Sequence, residues 1–311
     1  MKSLKNLAEV CQEEQYRFIS SFDHVLTDMD GVIWLAYKPI PGAAECIASL
    51  KLHGKRINYV TNNGVSSVNS ICRSLKRSGF NAEEEDIANP ILSAISYLKK
   101  INFRGEIFAV GSQQFKDELW AADFQLASDP PQDIEESVHS LLENIADNDN
   151  VMAVIFNYDV NLTFIKLQKM LTYLKRKECL FIVAANDKVT PIGPLGPLIG
   201  NQYFLNAIQN ISGRDPFYVA KPSEHYVQFV NEKFHITDPK RVLFIGDSIV
   251  EDMSTADIGG YQKLLVLTGS AKLEDINNWK YPTEYQPEYY VESLKVFNEI
   301  LETVQKCQCI P

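Results

Sequence analysis

The chain has 311 residues, 45% of them hydrophobic and 23% charged, with a formal net charge of −10. That length leaves room for two domains, and the composition is that of an ordinary soluble globular protein. The acidic balance argues against a surface built for nucleic acid or an anionic membrane, and no apolar run is long enough to span a bilayer.

The first 19 residues are mixed and charged, without the apolar stretch of a secretory signal, which gives the expectation of a cytoplasmic protein. Short apolar runs then predict strands at residues 24–27, 56–61, 106–110, 152–156, 180–184, 216–219, 241–245 and 263–267. Amphipathic stretches predict helices at residues 43–53, 67–78, 90–100, 163–175, 223–234 and 251–258. This alternation is the pattern of a parallel α/β sheet covered by helices. The Pro- and Gly-rich segment 190–197 reads as an irregular loop. Cys11, Cys46, Cys72 and Cys179 are scattered singly, as reduced thiols are, and Cys307 and Cys309 fall in a C-terminal tail expected to fray.

Four of the predicted strands end in residues with useful chemistry: Asp28, Thr61, Lys221 and Asp247. In an open parallel sheet the carboxyl ends of the strands form the crevice where ligands bind. Two of these residues come early and two late, so one sheet domain is expected to be assembled from residues 1–100 and 203–311. An α/β insertion at residues 101–202 separates its two parts.

The run Asp28-Met29-Asp30-Gly31-Val32 places two carboxylates one residue apart. Such acids repel, so a site that keeps both ionised usually holds a cation as well. Asp28 has the chemistry to attack phosphorus, and Asp30 to protonate a leaving alkoxide and then deprotonate water. Asp28, the backbone carbonyl of Asp30 and Asp247 form a hard-oxygen set suited to Mg2+. Thr61 and the backbone N–H groups of Asn62 and Asn63 offer neutral donors to phosphoryl oxygens, and Lys221 offers a positive charge. Asp252, five residues past Asp247, is placed to orient metal-bound waters. Taken singly, each segment has a plainer reading. The acid pair and the Thr61-Asn62-Asn63-Gly64 run read as turns, Lys221-Pro222 as a helix start, and Gly246-Asp247-Ser248 as a glycine turn.

In this order, DMDGV, YVTNN, AKP and GDSIVED resemble the haloacid dehalogenase (HAD) superfamily of phosphatases. Within it the chain looks like the branch containing 4-nitrophenylphosphatase, phosphoglycolate phosphatase and pyridoxal phosphatase. The resemblance runs over nearly the whole chain, including Val32-Ile33-Trp34, Pro41-Gly42-Ala43, Phe108-Ala109-Val110-Gly111, Phe156-Asn157-Tyr158-Asp159 and Val266-Leu267-Thr268-Gly269. It implies a Rossmann-like doubly wound core with a large inserted α/β cap. It also implies a magnesium-dependent phosphatase of small phosphate esters acting through an aspartyl-phosphate, and a homodimer formed through the cap. By the same resemblance Asp28 is the nucleophile, Asp30 the acid/base, and Asp28, Asp30 and Asp247 the metal ligands. Thr61, Asn62, Asn63 and Lys221 match phosphate-binding positions.

Two positions depart from the pattern. Glu251 precedes Asp252 where the family usually has a Thr-Asp pair. Thr190 stands just before Pro191, where some relatives carry a substrate-facing histidine, so Thr190 is a candidate for shaping substrate choice. The rival readings are a phosphotransferase or mutase using the same intermediate, and a non-catalytic binding module.

Overall fold

The structure is a computed structural model that describes residues 4–191 and 197–308. The chain forms two compact units: Met1–Thr61, Val68–Ala88 and Lys221–Pro311 make the first, and Asn62–Ser67 with Asn89–Ala220 the second.

The first unit is built on a seven-stranded sheet in which every neighbouring pair is parallel. Its order is Lys5–Asn6, Tyr289–Val291, Gln262–Val266, Val242–Gly246, His24–Thr27, Arg56–Val60, Ile87–Ala88. The central strands read as nearly continuous apolar runs because helices cover both faces of a parallel sheet; Val242–Gly246 is buried at every position. The edge strands are only two residues long, which leaves little open backbone for unwanted pairing. They were not visible as sequence runs for the same reason.

His24 is the polar exception in the strand that leads to Asp28, and it is buried. Its Nδ1 lies 2.7 Å from an Arg56 guanidinium nitrogen, which can only donate. Nδ1 therefore accepts, and the ring proton sits on Nε2, donated to Asn58 Oδ1 at 2.7 Å. Burial pushes the imidazole down to about 4, against the Asn58 bond, and the nearby Arg56 charge adds to the effect. The unfolded chain thus binds a proton that the folded chain refuses between about pH 6.5 and about pH 4. This stabilisation is complete above that window and is lost as the pH falls through it, by at most about 1.4 kcal/mol per pH unit. Urea unfolding across the window is expected to show His24→Gln losing less stability on acidification than the wild type. Equal slopes for the two proteins would refute the assignment.

The second unit carries a five-stranded parallel sheet, ordered Phe217–Tyr218, Leu180–Val183, Val151–Phe156, Glu106–Val110, Gln125–Leu126. Period-two alternation divides its side chains between two cores. Ile107, Ala109, Ala153 and Ile155 pack with Ile91, Ala94 and Leu98 from the helix Pro90–Lys100 and with Phe115 and Leu119 from Gln113–Ala121. On the other face Phe108, Val110, Val154 and Phe156 pack with Met170, Tyr173 and Leu174 from Phe164–Leu174 and with Leu205 and Ile208 from Gln202–Ser212. A buried ion pair, Lys166 Nζ to Asp159 Oδ2 at 2.6 Å, ties the loop after Val151–Phe156 to the following helix.

This unit is wider than the insertion of residues 101–202 expected from the sequence. The apolar stripe of Pro90–Lys100 covers the second sheet, and Phe217–Tyr218 is a strand of it, so both belong here. Nor is the segment 190–197 simply an irregular loop. Val189–Pro191 pairs antiparallel with Pro197–Ile199, and residues 192–196 lie outside the described residues. At the C-terminus the helix Leu294–Gln308 extends through Cys307, while Cys309 lies outside the described residues. Of the other cysteines Cys11 is exposed, whereas Cys46, Cys72 and Cys179 are buried thiols. Among the described residues no helix is long and apolar enough to cross a membrane.

Candidate active site

Asp28, Thr61 and Asp247 each follow directly on one of three adjacent parallel strands, His24–Thr27, Arg56–Val60 and Val242–Gly246. All three are buried at the carboxyl edge of the sheet, at most 6% exposed. Asp28 N donates to Ile245 O at 2.8 Å, so the ladder continues one residue past the strand and holds the carboxylate at the edge. The chain then coils tightly, with Ile33 N donating to Met29 O at 2.9 Å and Gly31 N to Trp34 O at 2.7 Å.

Lys221 is the cation of the site. Its buried Nζ lies 2.5 Å from Asp28 Oδ1 and 2.7 Å from Asp252 Oδ1. Asp28, Asp247 and Asp252 bring carboxylate oxygens within 4.8 Å of one another, close enough to hold a metal ion. The two oxygens of Asp252 are engaged by protein donors: Oδ1 by Lys221, and Oδ2 by the backbone N–H groups of Asp247 and Ser248, both at 3.0 Å. A π-helical turn, Ile249–Met253, carries Asp252 back to those amides. Its geometry is that of a residue orienting Lys221 and the Asp247 backbone. Asp247 Oδ2 accepts from Ser270 N at 2.6 Å, and Asp247 O accepts from Ala271 N at 2.9 Å.

The electrostatics are strained in one direction. Burial raises Asp28 well above the usual carboxylate range; Lys221 opposes this, while Asp252 and Asp247 add to it. Burial likewise pushes Asp247 up to about 6, reinforced by Asp252 and resisted by the Ser270 bonds and by Lys221. For Lys221, burial alone would depress the ammonium, but Asp252 and Asp28 together outweigh it and raise it well above its ordinary value. With all three carboxylates ionised, the one ammonium would leave two negative charges uncompensated in a desolvated space, a donor set that fits a hard divalent cation.

Glycine makes the close packing possible. A Cβ on Gly31, whose φ is +90°, would lie 2.5 Å from Asp247 Cγ, and one on Gly269 would lie 2.0 Å from Asp247 Oδ2. Backbone can press against this carboxylate only without side chains. Ser270 and Gly269 were not among the residues singled out for the site, although the Val266-Leu267-Thr268-Gly269 segment was a visible likeness.

The remaining sequence candidates are placed as follows. Asp30 is exposed, and its backbone bridges to Trp34. Among the described residues the carboxylate cluster contains Asp252 in addition to Asp28 and Asp247, and the Asp30 carboxylate is not part of it. Thr61 N donates to Ala88 O at 3.0 Å. Asn62 and Asn63 fall in the second unit. The Asn63 side chain accepts from Val65 N and Ser66 N at 3.1 and 3.0 Å, closing its own turn. Thr190 belongs to the strand Val189–Pro191, opposite Leu198 in the second unit.

Comparison with known proteins bears on the family and the fold. A profile of haloacid dehalogenase-like hydrolases matches residues 25–125, and a second, HAD-hydrolase-like profile matches residues 218–297. Human chronophin is 30% identical over 286 residues, covering 89% of this chain and 93% of its own length. The 4-nitrophenylphosphatase of Schizosaccharomyces pombe is 30% identical over 290 residues, covering 91% and 95%. The crystal structure of a 4-nitrophenylphosphatase from Thermotoga maritima shares the fold with a TM-score of 0.75, at 23% identity over 90% of this chain and 98% of that one. The fold, the acidic centre and these matches together show that the chain belongs to the haloacid dehalogenase-like hydrolases.

Proposed function

We propose that this protein is a magnesium-dependent phosphatase that hydrolyses small phosphomonoesters through a phosphorylated Asp28. The observation that carries the reading is the buried cluster of Asp28, Asp247 and Asp252 around the single ammonium of Lys221, at the carboxyl ends of adjacent strands. Mg2+ would be held by Asp28, Asp247 and the carbonyl of Asp30, and would shield the anionic nucleophile from the anionic phosphate.

The chain's own groups supply the rest. The Asp28 carboxylate forms a bond to phosphorus as the ester P–O bond breaks, and the departing alkoxide takes a proton from Asp30. Water then attacks the phosphorus of the acyl-phosphate and gives a proton to Asp30, which frees orthophosphate and restores Asp28 as the carboxylate and Asp30 as the acid. The exposure of Asp30 suits a group that must meet both a leaving group and water. Thr61, the backbone N–H groups of Asn62 and Asn63, and Lys221 would hold the transferring oxygens. The name of one relative, 4-nitrophenylphosphatase, supports a phosphate ester as substrate without selecting one.

The test is orthophosphate release from a panel of small phosphate esters and 4-nitrophenyl phosphate, in magnesium and in EDTA. Release in magnesium is expected to fall at least about 100-fold on chelation. Release that survives chelation would refute the metal's part. No release from any ester by the folded protein in magnesium would refute the phosphatase reading.

A further inference from the structure

Tyr226 lies fully buried in the helix Glu224–Lys233, and its hydroxyl oxygen is 3.0 Å from the carbonyl oxygens of both Thr61 and Ala88. Burial raises the phenol far above its ordinary value, so it stays protonated and acts as a donor. It has one proton to give, and the two carbonyls share it. Thr61 N donates to Ala88 O as well, which closes a three-cornered network. These are not arbitrary points of the backbone. Thr61 and Ala88 are the residues at which the chain leaves the first unit for the second.

A trans peptide group is planar, and its C=O and N–H point in opposite directions. The carbonyl of Thr61 and the N–H of Asn62 belong to one such group. A hydroxyl that grips the Thr61 oxygen therefore also fixes the direction in which Asn62 N–H points. We infer that Tyr226 is a positioning residue for phosphate binding, which holds the Thr61–Asn62 peptide so that the Asn62 N–H is presented to phosphoryl oxygens. This rests on the reading of Thr61 and Asn62 as phosphate-binding groups. The donor so fixed serves substrate, transition state and product alike, because each carries phosphoryl oxygens. Loss of uniform binding raises KM and leaves kcat nearly unchanged.

The plainer role for Tyr226 is to satisfy two buried carbonyls, and a matched control separates the two. Tyr261 is also buried in the first unit, and its hydroxyl donates to Asn231 Oδ1 at 2.7 Å. Tyr226→Phe and Tyr261→Phe each delete one buried hydroxyl from a tyrosine and keep the ring. Thermal melting should show a comparable loss of stability in both. With 4-nitrophenyl phosphate as substrate and orthophosphate as inhibitor, Tyr226→Phe is expected to raise KM and the orthophosphate inhibition constant in parallel, by roughly fivefold. Its kcat should stay within about twofold of wild type, and Tyr261→Phe should leave all three constants unchanged. A wild-type inhibition constant for orthophosphate in Tyr226→Phe, or an equal rise in Tyr261→Phe, would overturn the inference. If the wild type hydrolyses the ester but orthophosphate does not bind, the phosphate-binding assignment itself fails, and the positioning role falls with it.

Discussion

Replacing Asp28 with asparagine is expected to lower kcat by at least about 10^4-fold while leaving the protein folded. The amide keeps the shape of the side chain and removes its nucleophilic charge. No unpartnered cation is created, because Lys221 retains Asp252 at 2.7 Å. Asp28 is buried and raised well above the usual carboxylate range, so a neutral group there also relieves the folded state of an anion it holds at a cost. Stability at neutral pH should accordingly match or exceed that of the wild type. Acid quenching during turnover of a phosphate ester labelled on phosphorus should trap a protein-bound phosphoryl group in the wild type and none in Asp28→Asn. A variant that keeps activity within about tenfold of wild type would rule out Asp28 as the covalent nucleophile.

The parts of this site that were legible in the sequence share a physical cause. A central parallel strand is a short, wholly buried apolar run, so the first polar residue after it stands at the edge where ligands bind. Asp28, Thr61 and Asp247 announce themselves in this way, and the structure sets all three at the carboxyl edge of adjacent strands. Lys221 follows a strand of the second sheet, yet its ammonium reaches Asp28 of the first unit, to which Lys221 itself belongs. The order of motifs pointed to that meeting, and no local pattern could have. Asp252 was visible by spacing, but its grip on the Asp247 and Ser248 amides depends on a π-helical turn that periodicity does not reveal.

Other features were hidden for reasons of geometry. Tyr226 occupies one of the buried positions of an amphipathic helix, and its sequence context cannot tell a core phenol from one whose hydroxyl meets two carbonyls. The apolar face of Pro90–Lys100 was legible, but which sheet it covers depends on packing, and the second unit is wider for that reason. Two-residue strands such as Lys5–Asn6 and Ile87–Ala88 are too short to carry a period at all. Proline and glycine across residues 190–197 suggest a loop, yet Val189–Pro191 and Pro197–Ile199 pair antiparallel.

Lys221→Met is expected to be the most destabilising single change at the site, at about 3–5 kcal/mol, together with loss of turnover. Both its carboxylate partners are buried, and Asp252 is almost wholly so, at 1% exposed. Methionine fills the space of the stem but leaves Asp28, Asp247 and Asp252 as three acids with no ammonium among them. An exposed ion pair contributes only about 0–1 kcal/mol, so the size of the loss reports how far this cluster is desolvated. Removing a second charge should then recover part of what the first removal cost. In Lys221→Met with Asp252→Asn, one acid fewer remains, and an asparagine Oδ1 can still accept from the Asp247 and Ser248 amides that now bond Oδ2. Urea unfolding of the wild type, both single variants and the double variant forms a cycle in which the double variant should lose less than the sum of the singles. Additive losses, or a loss below about 1 kcal/mol in Lys221→Met, would mean that Lys221 is solvated in solution. In that case the ammonium would not be the element that lets this edge of the sheet keep three carboxylates side by side.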